Sequence, residues 1–341
     1  MTVQGHGWDD NTGYPAFRNL IINGGFDVWQ RGTSFTAASL TSPYYTVDRW
    51  ITVRGGLAAG ATWSRQTSDL TNFNYFMRCQ RDSGNTSTAN IHASTSFETV
   101  NIKRLQGKVL TLSFWAKAGA NYSSASSSFK AQIAVGTGTD SNYLITGFTS
   151  SSLLLDSTVT LTTSWQRFTV TTSSALLTTH NQLAINFFNT PVGTASAADY
   201  VDITGVQLEA GPVATPFEFE PFETTLRKCQ RYYEKSYSVG TVPGTNTNEG
   251  SFFIWNSTQS DALAGVYQKF AVNKRTKPTT IFYWTPSGTA GSWDYLRSGT
   301  SGVAAVTLLD SGETGFSAYH NTGGANTTCR SAGHWTCSAE L

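Results

Sequence analysis

Tryptophan side chains have the clearest chemical potential in this sequence. The chain contains 10 of them, and the flat C–H face of a sugar ring stacks well on an exposed aromatic ring. Three stand beside polar neighbours in short alternating segments, which places them on a solvated face: Trp63, Trp115 and Trp165. We therefore expect at least one of these three to contact a glycan. The alternative is a place in the core, which is the commoner state of tryptophan.

Two aspartates are candidates for a structural metal site. Asp27 (in GGFDVW) and Asp202 (in YVDITG) fall in the predicted first and last strands of one sheet domain. A calcium ion there could join the two strands through carboxylate and backbone oxygens. Calcium takes roughly six or more oxygen ligands, and only these two acids can be named. The alternative, which we favour, is that each carboxylate is hydrogen-bonded near a turn or a sheet edge.

Catalytic motifs are missing. Glycoside hydrolysis needs a pair of carboxylates. No spacing rule selects a pair among the available acids, which include Glu98, Asp199, Asp202, Glu209, Glu218 and Glu220. The sequence also has no G-x-S-x-G, H-E-x-x-H or P-loop motif, and no G-x-G-x-x-G motif after a strand. We therefore predict a protein that is not an enzyme, with no catalytic residue and no certain cofactor.

The cysteines predict neither a disulfide scaffold nor a zinc site. Four cysteines are too few and too scattered for a scaffold in 341 residues. Cys329, Cys337 and His334, with His320, are soft ligands close together, but their spacing matches no common zinc module. We expect free and mostly buried thiols.

The composition indicates an all-β protein. Charged residues make up only 13% of the chain and aromatic residues also reach 13%, a mixture that suits pleated sheets better than long helices. In LTLSFWAK the apolar Leu110, Leu112 and Phe114 alternate with other residues, which predicts a strand with one face in the core. In VDITGVQLE the alternation shifts by one residue at Gly205, which predicts a β-bulge there.

We predict two β-sandwich domains joined by a short helix, because 341 residues exceed one typical core. The run GPVATPFEFEPF carries three prolines and cannot be central sheet. After it, Leu226, Cys229 and Tyr233 repeat with helical spacing. The predicted organisation is an N-terminal arm (1–18), a jelly-roll domain (19–221), a connecting helix (222–235) and a smaller β-sandwich tip domain (236–341).

The charge balance and the N-terminal sequence exclude several classes of partner. The chain has 23 basic and 22 acidic residues, which gives no electrostatic footprint for nucleic acid or anionic lipid. No apolar stretch approaches the roughly 18 residues needed to span a bilayer. The first residues have neither the basic nor the apolar region of a secretory signal. We expect a soluble protein without membrane insertion or signal-directed export.

Several segments resemble the carbohydrate-binding-module-like jelly rolls of bacteriophage tail-fibre and related virion proteins. The resemblance covers most of residues 19 to 237, and KRTKPTT with the terminal HWTCSAEL is similar to the short distal domain that often closes such fibres. The segments that carry it are NLIINGGFDVWQRG (19–32), VDRW (47–50), LQGKVLTLSFWAKA (105–118), VDITGVQLEAGPVATPFEFEP (201–221) and LRKCQRYYEKSY (226–237). The family's sugar-binding residues follow no fixed motif. Carbohydrate modules often have Glu where this chain has Asp27, which leaves the calcium site open.

The resemblance implies a virion protein without catalytic activity, assembled in the host cytoplasm. It would form a homotrimer and present its β-sandwiches to host surface polysaccharide. The composition also favours association, because a surface with few charges and much apolar area would otherwise risk edge pairing and aggregation. We expect residues 1–18 to attach the protein to other virion proteins.

Two other functions stay open. The protein could be a structural head fibre, decoration protein or tail component whose jelly roll binds neighbouring virion subunits. It could also be an accessory sugar-binding module of a bacterial surface system. A receptor-binding fibre should compete with whole particles for adsorption to host cells, whereas a decoration protein should not.

Overall fold

The computed structural model describes residues 17–36, 44–256, 263–297, 299–321 and 329–341. The predicted attachment arm lies outside the described residues except for Phe17 and Arg18. Within these ranges, no helix is long and apolar enough to cross a membrane. The chain divides into two compact units. The first contains the chain up to Asp27, Thr33–Pro221 and Leu341, and the second contains Val28–Gly32 and Phe222–Glu340.

Among its described residues, the first unit has twelve strands in two six-stranded antiparallel sheets. In chain order the strands are β1 (Ser34–Thr36), β2 (Tyr44–Tyr45), β3 (Ile51–Arg54), β4 (Ala61–Thr67), β5 (Tyr75–Arg81), β6 (Ile91–Ser96), β7 (Leu110–Ala118), β8 (Ser128–Gly136), β9 (Ser152–Thr160), β10 (Gln166–Thr171), β11 (Gln182–Asn189) and β12 (Tyr200–Ala210). Sheet I has the order β1-β4-β5-β12-β7-β10, and sheet II has the order β2-β3-β6-β11-β8-β9. A short helix, α1, covers Thr99–Ile102, and 3₁₀ turns cover Gly55–Leu57, Lys103–Leu105 and Ala125–Ser127.

The two sheets of the first unit pack face to face through aromatic side chains. The rings of Phe114 on β7 and Phe187 on β11 have centroids 4.8 Å apart, and Phe129 on β8 stacks on Phe187 at 5.7 Å. Leu110, Leu112 and Phe114 are all fully buried, so the alternation predicted for β7 is confirmed. Because both sheets bury one apolar face against the other, the predicted all-β sandwich is confirmed.

A β-bulge interrupts β12 at the predicted position. The register between β12 and β7 shifts between Thr204 and Gln207, and Gly205 has a φ of +60°. A Cβ atom at Gly205 would lie 2.7 Å from the ring of Phe73 and 2.9 Å from the ring of Trp115. Glycine is therefore required here for two reasons: the backbone is left-handed, and no side chain fits between the two rings.

Residues 211–219, the cover segment, lie over part of the outer face of sheet I. Gln207 and Glu209 on β12 point toward this segment and are buried although they are polar. Gln207 Nε2 donates to the carbonyl of Pro216 at 3.1 Å, and Glu209 Oε2 accepts from the backbone N–H of Thr215 at 3.0 Å. These bonds satisfy polar groups that would otherwise be buried without partners. This part of sheet I is therefore closed by the chain itself.

In the described part of the second unit, one helix precedes eight strands that belong to a single antiparallel sheet. The elements are α2 (Phe222–Gln230), β13 (Tyr233–Lys235), β14 (Phe252–Asn256), β15 (Leu263–Lys269), β16 (Thr280–Trp284), β17 (Ser292–Arg297), β18 (Thr300–Ser311), β19 (Gly315–Asn321) and β20 (Cys329–Ser338). The strand order of this sheet III is β13-β20-β17-β18-β19-β15, and β14 and β16 also pair with β20. The described strands of this unit therefore form one sheet rather than two.

The helix ends at Gln230 and not at residue 235. Tyr233–Lys235 instead form strand β13, which pairs with the end of β20. The buried ammonium of Lys235 donates to the carbonyl of Val239 at 2.8 Å and to that of Thr241. The open edge of β20 and these carbonyl partners favour the extended conformation over another helical turn.

The core of the second unit is aromatic. Trp293 on β17 is fully buried, and its ring meets the rings of Phe252 at 4.7 Å and Tyr283 at 5.1 Å. A buried ion pair between Lys274 and Glu234 lies in the same unit. All four cysteines of the chain are free and buried, as predicted.

Replacing Gly205 by alanine is expected to destabilise the first unit by about 2–3 kcal/mol, because the new Cβ meets two rings in a left-handed backbone. Gly84→Ala is the matched control, since Gly84 also has a positive φ, of +80°, but nothing lies within 4 Å of its would-be Cβ. We expect it to cost about 1 kcal/mol from backbone strain alone. Urea unfolding of the full chain measures both, and equal losses would contradict the steric account.

Candidate functional site

Trp63 belongs to the core and is not available to a ligand. It points inward from β4, opposite Cys79 of β5, and its exposed fraction is 0%. Ala61, two residues earlier on the same face of β4, is equally buried. The structure therefore corrects the expectation that Trp63 stands on a solvated face: its polar sequence neighbours point outward while the indole fills the sandwich.

Trp115 and Trp165 lie on the outer face of sheet I, where protein groups already contact both rings. Trp115 is half-buried against the bulge at Gly205. Trp165 donates from Nε1 to Asp69 Oδ1 at 2.6 Å, and the ammonium of Lys117 lies 4.8 Å from the centroid of its ring. Sugar contact by either ring stays a prediction. These contacts explain both tryptophans without a ligand.

The residues of the predicted calcium site do not fit a cation. Arg78 binds the buried carboxylate of Asp202 with two hydrogen bonds, of 2.7 Å to Oδ1 and 2.9 Å to Oδ2. The guanidinium thus supplies the positive charge and would repel a metal ion. Asp27 accepts a hydrogen bond from Asn74 Nδ2 at 3.2 Å, and burial raises the pKa of its carboxyl. Over the described residues, no group of three or more His, Cys, Asp or Glu could hold a metal.

A row of hydrogen-bonded polar side chains crosses the outer face of sheet II. This polar row consists of His92 on β6, Asn186 on β11, Gln132 on β8 and Asp156 on β9. Strand register places Asn186 beside Gln132 and Gln132 beside Asp156. The bonds join His92 Nδ1 to Asn186 Oδ1 at 3.3 Å, Asn186 Nδ2 to Gln132 Oε1 at 3.0 Å, and Gln132 Nε2 to Asp156 Oδ1 at 3.1 Å. The polar row therefore links four neighbouring strands.

The hydrogen bonds of the polar row all run in one direction. Asn186 Oδ1 can only accept, so Nδ1 of His92 carries the hydrogen. Exposure increases toward the other end of the row: Asn186 is buried at 2%, whereas the side chain of Asp156 is 44% exposed. The Gln132 amide keeps a second N–H, and the bonds of the row use only Oδ1 of Asp156. The row therefore presents fixed donors and acceptors at its Asp156 end.

An aromatic ring lies on one side of the polar row, and the loop that carries Tyr143 lies on the other. On one side the ring of Phe188 stacks on that of His92, with centroids 5.0 Å apart and planes inclined by 28°. On the other side the sheet carries small residues, Ser96 and Ala184, and the backbone N–H of Tyr143 donates to Ser96 Oγ at 3.1 Å. Small side chains thus leave room for the loop that carries Tyr143.

We call the polar row together with Lys130, Phe188 and Tyr143 the groove. Lys130 lies beside Phe188 in strand register, and its ammonium is 3.1 Å from Asp156 Oδ1. Burial and then the charge of Asp156 raise the pKa of Tyr143. The groove therefore offers a carboxylate, an ammonium and an amide together with two half-buried aromatic rings.

The groove has a defined charge state at neutral pH. The amide of Gln132 and then the ammonium of Lys130 hold the pKa of Asp156 below its usual value, against a smaller effect of burial. Burial lowers the pKa of His92 more than its bond to Asn186 raises it. Asp156 is therefore ionised and His92 neutral, a state suited to binding rather than to donating protons.

The groove is not predicted by the local sequence pattern. A signal was present, because Asn186 and Phe188 alternate with the buried Ile185 and Phe187 along β11. The row itself is not local, since its hydrogen-bonded partners Asn186 and His92 are 94 positions apart in the chain. Only the pairing of four strands brings its members together.

The chain resembles several solved structures, but it matches no known protein family. No protein-family model and no curated protein sequence matches the chain. A CBM4 structure is 19% identical, with a TM-score of 0.33, 55% of this chain covered and 97% of that one. A putative sugar binding protein from Bacteroides thetaiotaomicron is 13% identical, with a TM-score of 0.35 and coverages of 56% and 99%. The enzymatically active domain of tailspike protein 4 from bacteriophage CBA120 is 12% identical, with a TM-score of 0.35, 57% of this chain covered and 21% of that one.

This chain therefore spans about a fifth of the length of that tailspike domain. Because the identities are below 20% and the TM-scores below 0.5, these structures do not show the function of this chain.

Excess EDTA is expected to leave the melting temperature unchanged, because Arg78 and not calcium neutralises Asp202. Asp202→Asn should lower the free energy of unfolding by about 2–3 kcal/mol, since it leaves a half-buried guanidinium with a weaker partner. Asp69→Asn breaks an exposed pair with Lys117 and should cost less than about 1 kcal/mol. A melting temperature that falls in EDTA and recovers with added calcium would contradict this assignment.

Proposed function

We propose that the groove on sheet II binds a polysaccharide. The observation that carries the proposal is the exposed end of the polar row, where Asp156 and Gln132 are held in place beside Lys130, with Phe188 stacked on His92 in the same row. Sugar hydroxyls both donate and accept hydrogen bonds, and sugar C–H faces pack on aromatic rings. A site with fixed polar groups and aromatic rings matches both properties of a sugar.

Pre-organisation supports binding at this site. The Gln132 amide is held by Asn186 on one side and by Asp156 on the other, and Asp156 is also held by Lys130. Side chains that are already ordered lose little conformational entropy when a ligand arrives. The buried Asn186 therefore acts as a positioning residue, and the ligand would meet Gln132, Asp156 and Lys130.

The charge of the groove favours a polyhydroxylated ligand over a nucleic acid. Asp156 and Lys130 cancel each other within 3.1 Å, and the whole chain carries a formal net charge of only +1. A phosphate backbone is bound by an excess of positive charge, which the groove lacks.

We further propose that this binding is not coupled to catalysis. Glycoside hydrolysis uses two carboxyl groups, one of which has a raised pKa so that it can donate a proton. The groove as defined holds one carboxylate, and the pKa of Asp156 is lowered. Its chemistry supports binding of the sugar rather than cleavage of it.

Asp156→Ala is expected to weaken polysaccharide binding about tenfold, which corresponds to about 1.4 kcal/mol, because it removes charged acceptors from the ligand and a partner from Gln132. The measurement is binding of the purified full chain to a microarray of bacterial surface polysaccharides, followed by titration with the best-bound one. Asp69→Ala is the matched control, since Asp69, in the loop between β4 and β5, is also an exposed acid paired with a lysine, here Lys117 of sheet I.

The control also tests the alternative site. Binding lost in Asp69→Ala and kept in Asp156→Ala would move the sugar site to Trp165 on sheet I and refute the groove. Equal binding by both variants and the parent would refute both sites.

We also propose a biological setting: a homotrimeric virion fibre that adsorbs to host polysaccharide. The support is the resemblance of the segments between residues 19 and 237 to virion jelly rolls, together with the low charge of the chain. In this setting residues 1–18 would attach the protein to other virion proteins, and the protein would assemble in the host cytoplasm. A structural virion role and a bacterial accessory sugar-binding module are the alternatives.

Purified protein is expected to compete with intact particles for adsorption to host cells, and Asp156→Ala is expected to compete about tenfold less well. The measurement is residual infectivity after preincubation of cells with protein, and light scattering on the same sample should give the mass of three chains. Failure to compete, although the protein binds polysaccharide, would point to the bacterial accessory role. If the protein shows neither competition nor sugar binding, the structural virion role is favoured. The mass of one chain would contradict the trimer.

A further inference from the structure

One strand of the second unit carries two large aromatic side chains that are exposed to solvent. Trp255 on β14 is 65% exposed and Phe253, two residues earlier, is 50% exposed. Tryptophan is buried in most proteins, so an indole at this exposure has a poor environment in the free chain.

Strand geometry places both rings on the same side of sheet III. Phe252 and Ile254 alternate with them and pack against the core of the unit, so Phe253 and Trp255 point outward. Residues two apart on a strand are about 7 Å apart. The two rings therefore form neighbouring platforms along one strand.

Charged groups lie next to these rings on the adjacent strands. Register places Arg330 of β20 beside Trp255, and Asp294 of β17 lies across Ala332 from Phe253. The guanidinium carbon of Arg330 is 5.4 Å from the centroid of the Phe253 ring. We call Phe253, Trp255, Asp294 and Arg330 the aromatic face.

Both charged groups keep unused hydrogen-bonding capacity. Arg330 Nε is buried and has no hydrogen-bond partner. Asp294 accepts no side-chain hydrogen bond from the described residues, and its pKa is raised by burial more than it is lowered by Arg330. The Nε atom is too buried to meet a surface ligand, but the half-buried carboxylate of Asp294 keeps acceptors for the hydroxyl groups of a ligand.

We propose that the aromatic face is a second saccharide-binding site, separate from the groove and carried by the second unit. Its ligand is a neutral pyranose chain, whose C–H faces would stack on Trp255 and Phe253 and whose hydroxyls would bond to Arg330 and Asp294. An apolar surface of a second copy would leave both charged groups unpaired. One acid and one base balance each other on this face, so it lacks the excess positive charge that binds a phosphate backbone. The inference shares with the proposed function only the class of ligand.

The test uses the full chain with Trp255→Ala, and the matched control is Tyr267→Ala. Tyr267 is also an outward aromatic on a strand of this unit and is 63% exposed. The probe is the microarray of purified bacterial surface polysaccharides, read for the parent, the single variants and each variant combined with Asp156→Ala. Trp255→Ala is expected to lower binding on the order of ten-fold, Tyr267→Ala to leave it unchanged, and Trp255→Ala with Asp156→Ala to abolish it.

Each outcome separates this inference from the groove. Loss of polysaccharide binding in Trp255→Ala but not in Asp156→Ala supports the aromatic face and refutes the groove. If only Asp156→Ala loses polysaccharide binding, and Trp255→Ala binds as well as Tyr267→Ala, the aromatic face is refuted and the groove is supported. Arg330→Gln, which leaves both rings in place, should weaken binding as well, and parent-like binding by it would overturn the proposed role of the charged groups. A lower mass for Trp255→Ala in light scattering, with unchanged binding, would identify the face as a contact between copies and overturn the proposal.

Discussion

The register of β11 with its two neighbours is the constraint on which the candidate site depends. Ile185 and Phe187 point into the sandwich, where Phe187 meets the rings of Phe114 and Phe129. Asn186 and Phe188 must therefore point outward, because side chains alternate along a strand. A slip of one residue would bury Asn186 among aromatic rings and expose Phe187, so the packing that stabilises the sandwich also fixes the polar row.

The two outer faces of the first unit are used differently. On sheet I the cover segment closes part of the outer face through Gln207 and Glu209, and Arg78 neutralises Asp202 nearby. These polar residues are matched by groups of the chain itself. On sheet II the row ends in a carboxylate that is 44% exposed beside Lys130. The row of ordered amides behind this carboxylate is the physical basis for placing ligand binding on sheet II.

Composition predicted the all-β class, and alternation along single strands predicted the core face of β7 and the bulge at Gly205, because both depend on neighbouring positions in the sequence. Trp63 is an exception to the local pattern: its neighbours Thr62 and Ser64 are polar, but the indole points into the sandwich beside Cys79 of the neighbouring strand. The pair of Arg78 and Asp202 spans 124 positions, and the polar row depends on the pairing of four strands. Such contacts follow from topology, which the local pattern does not contain.

The most direct test of the central claim is a crystal structure of the full chain with a fragment of the polysaccharide that it binds most tightly. Our account predicts a sugar ring on the outer face of sheet II, beside the polar row, with hydroxyls bonded to Asp156 and Gln132. Sugar density against Trp165 on sheet I, with the groove empty, would contradict it.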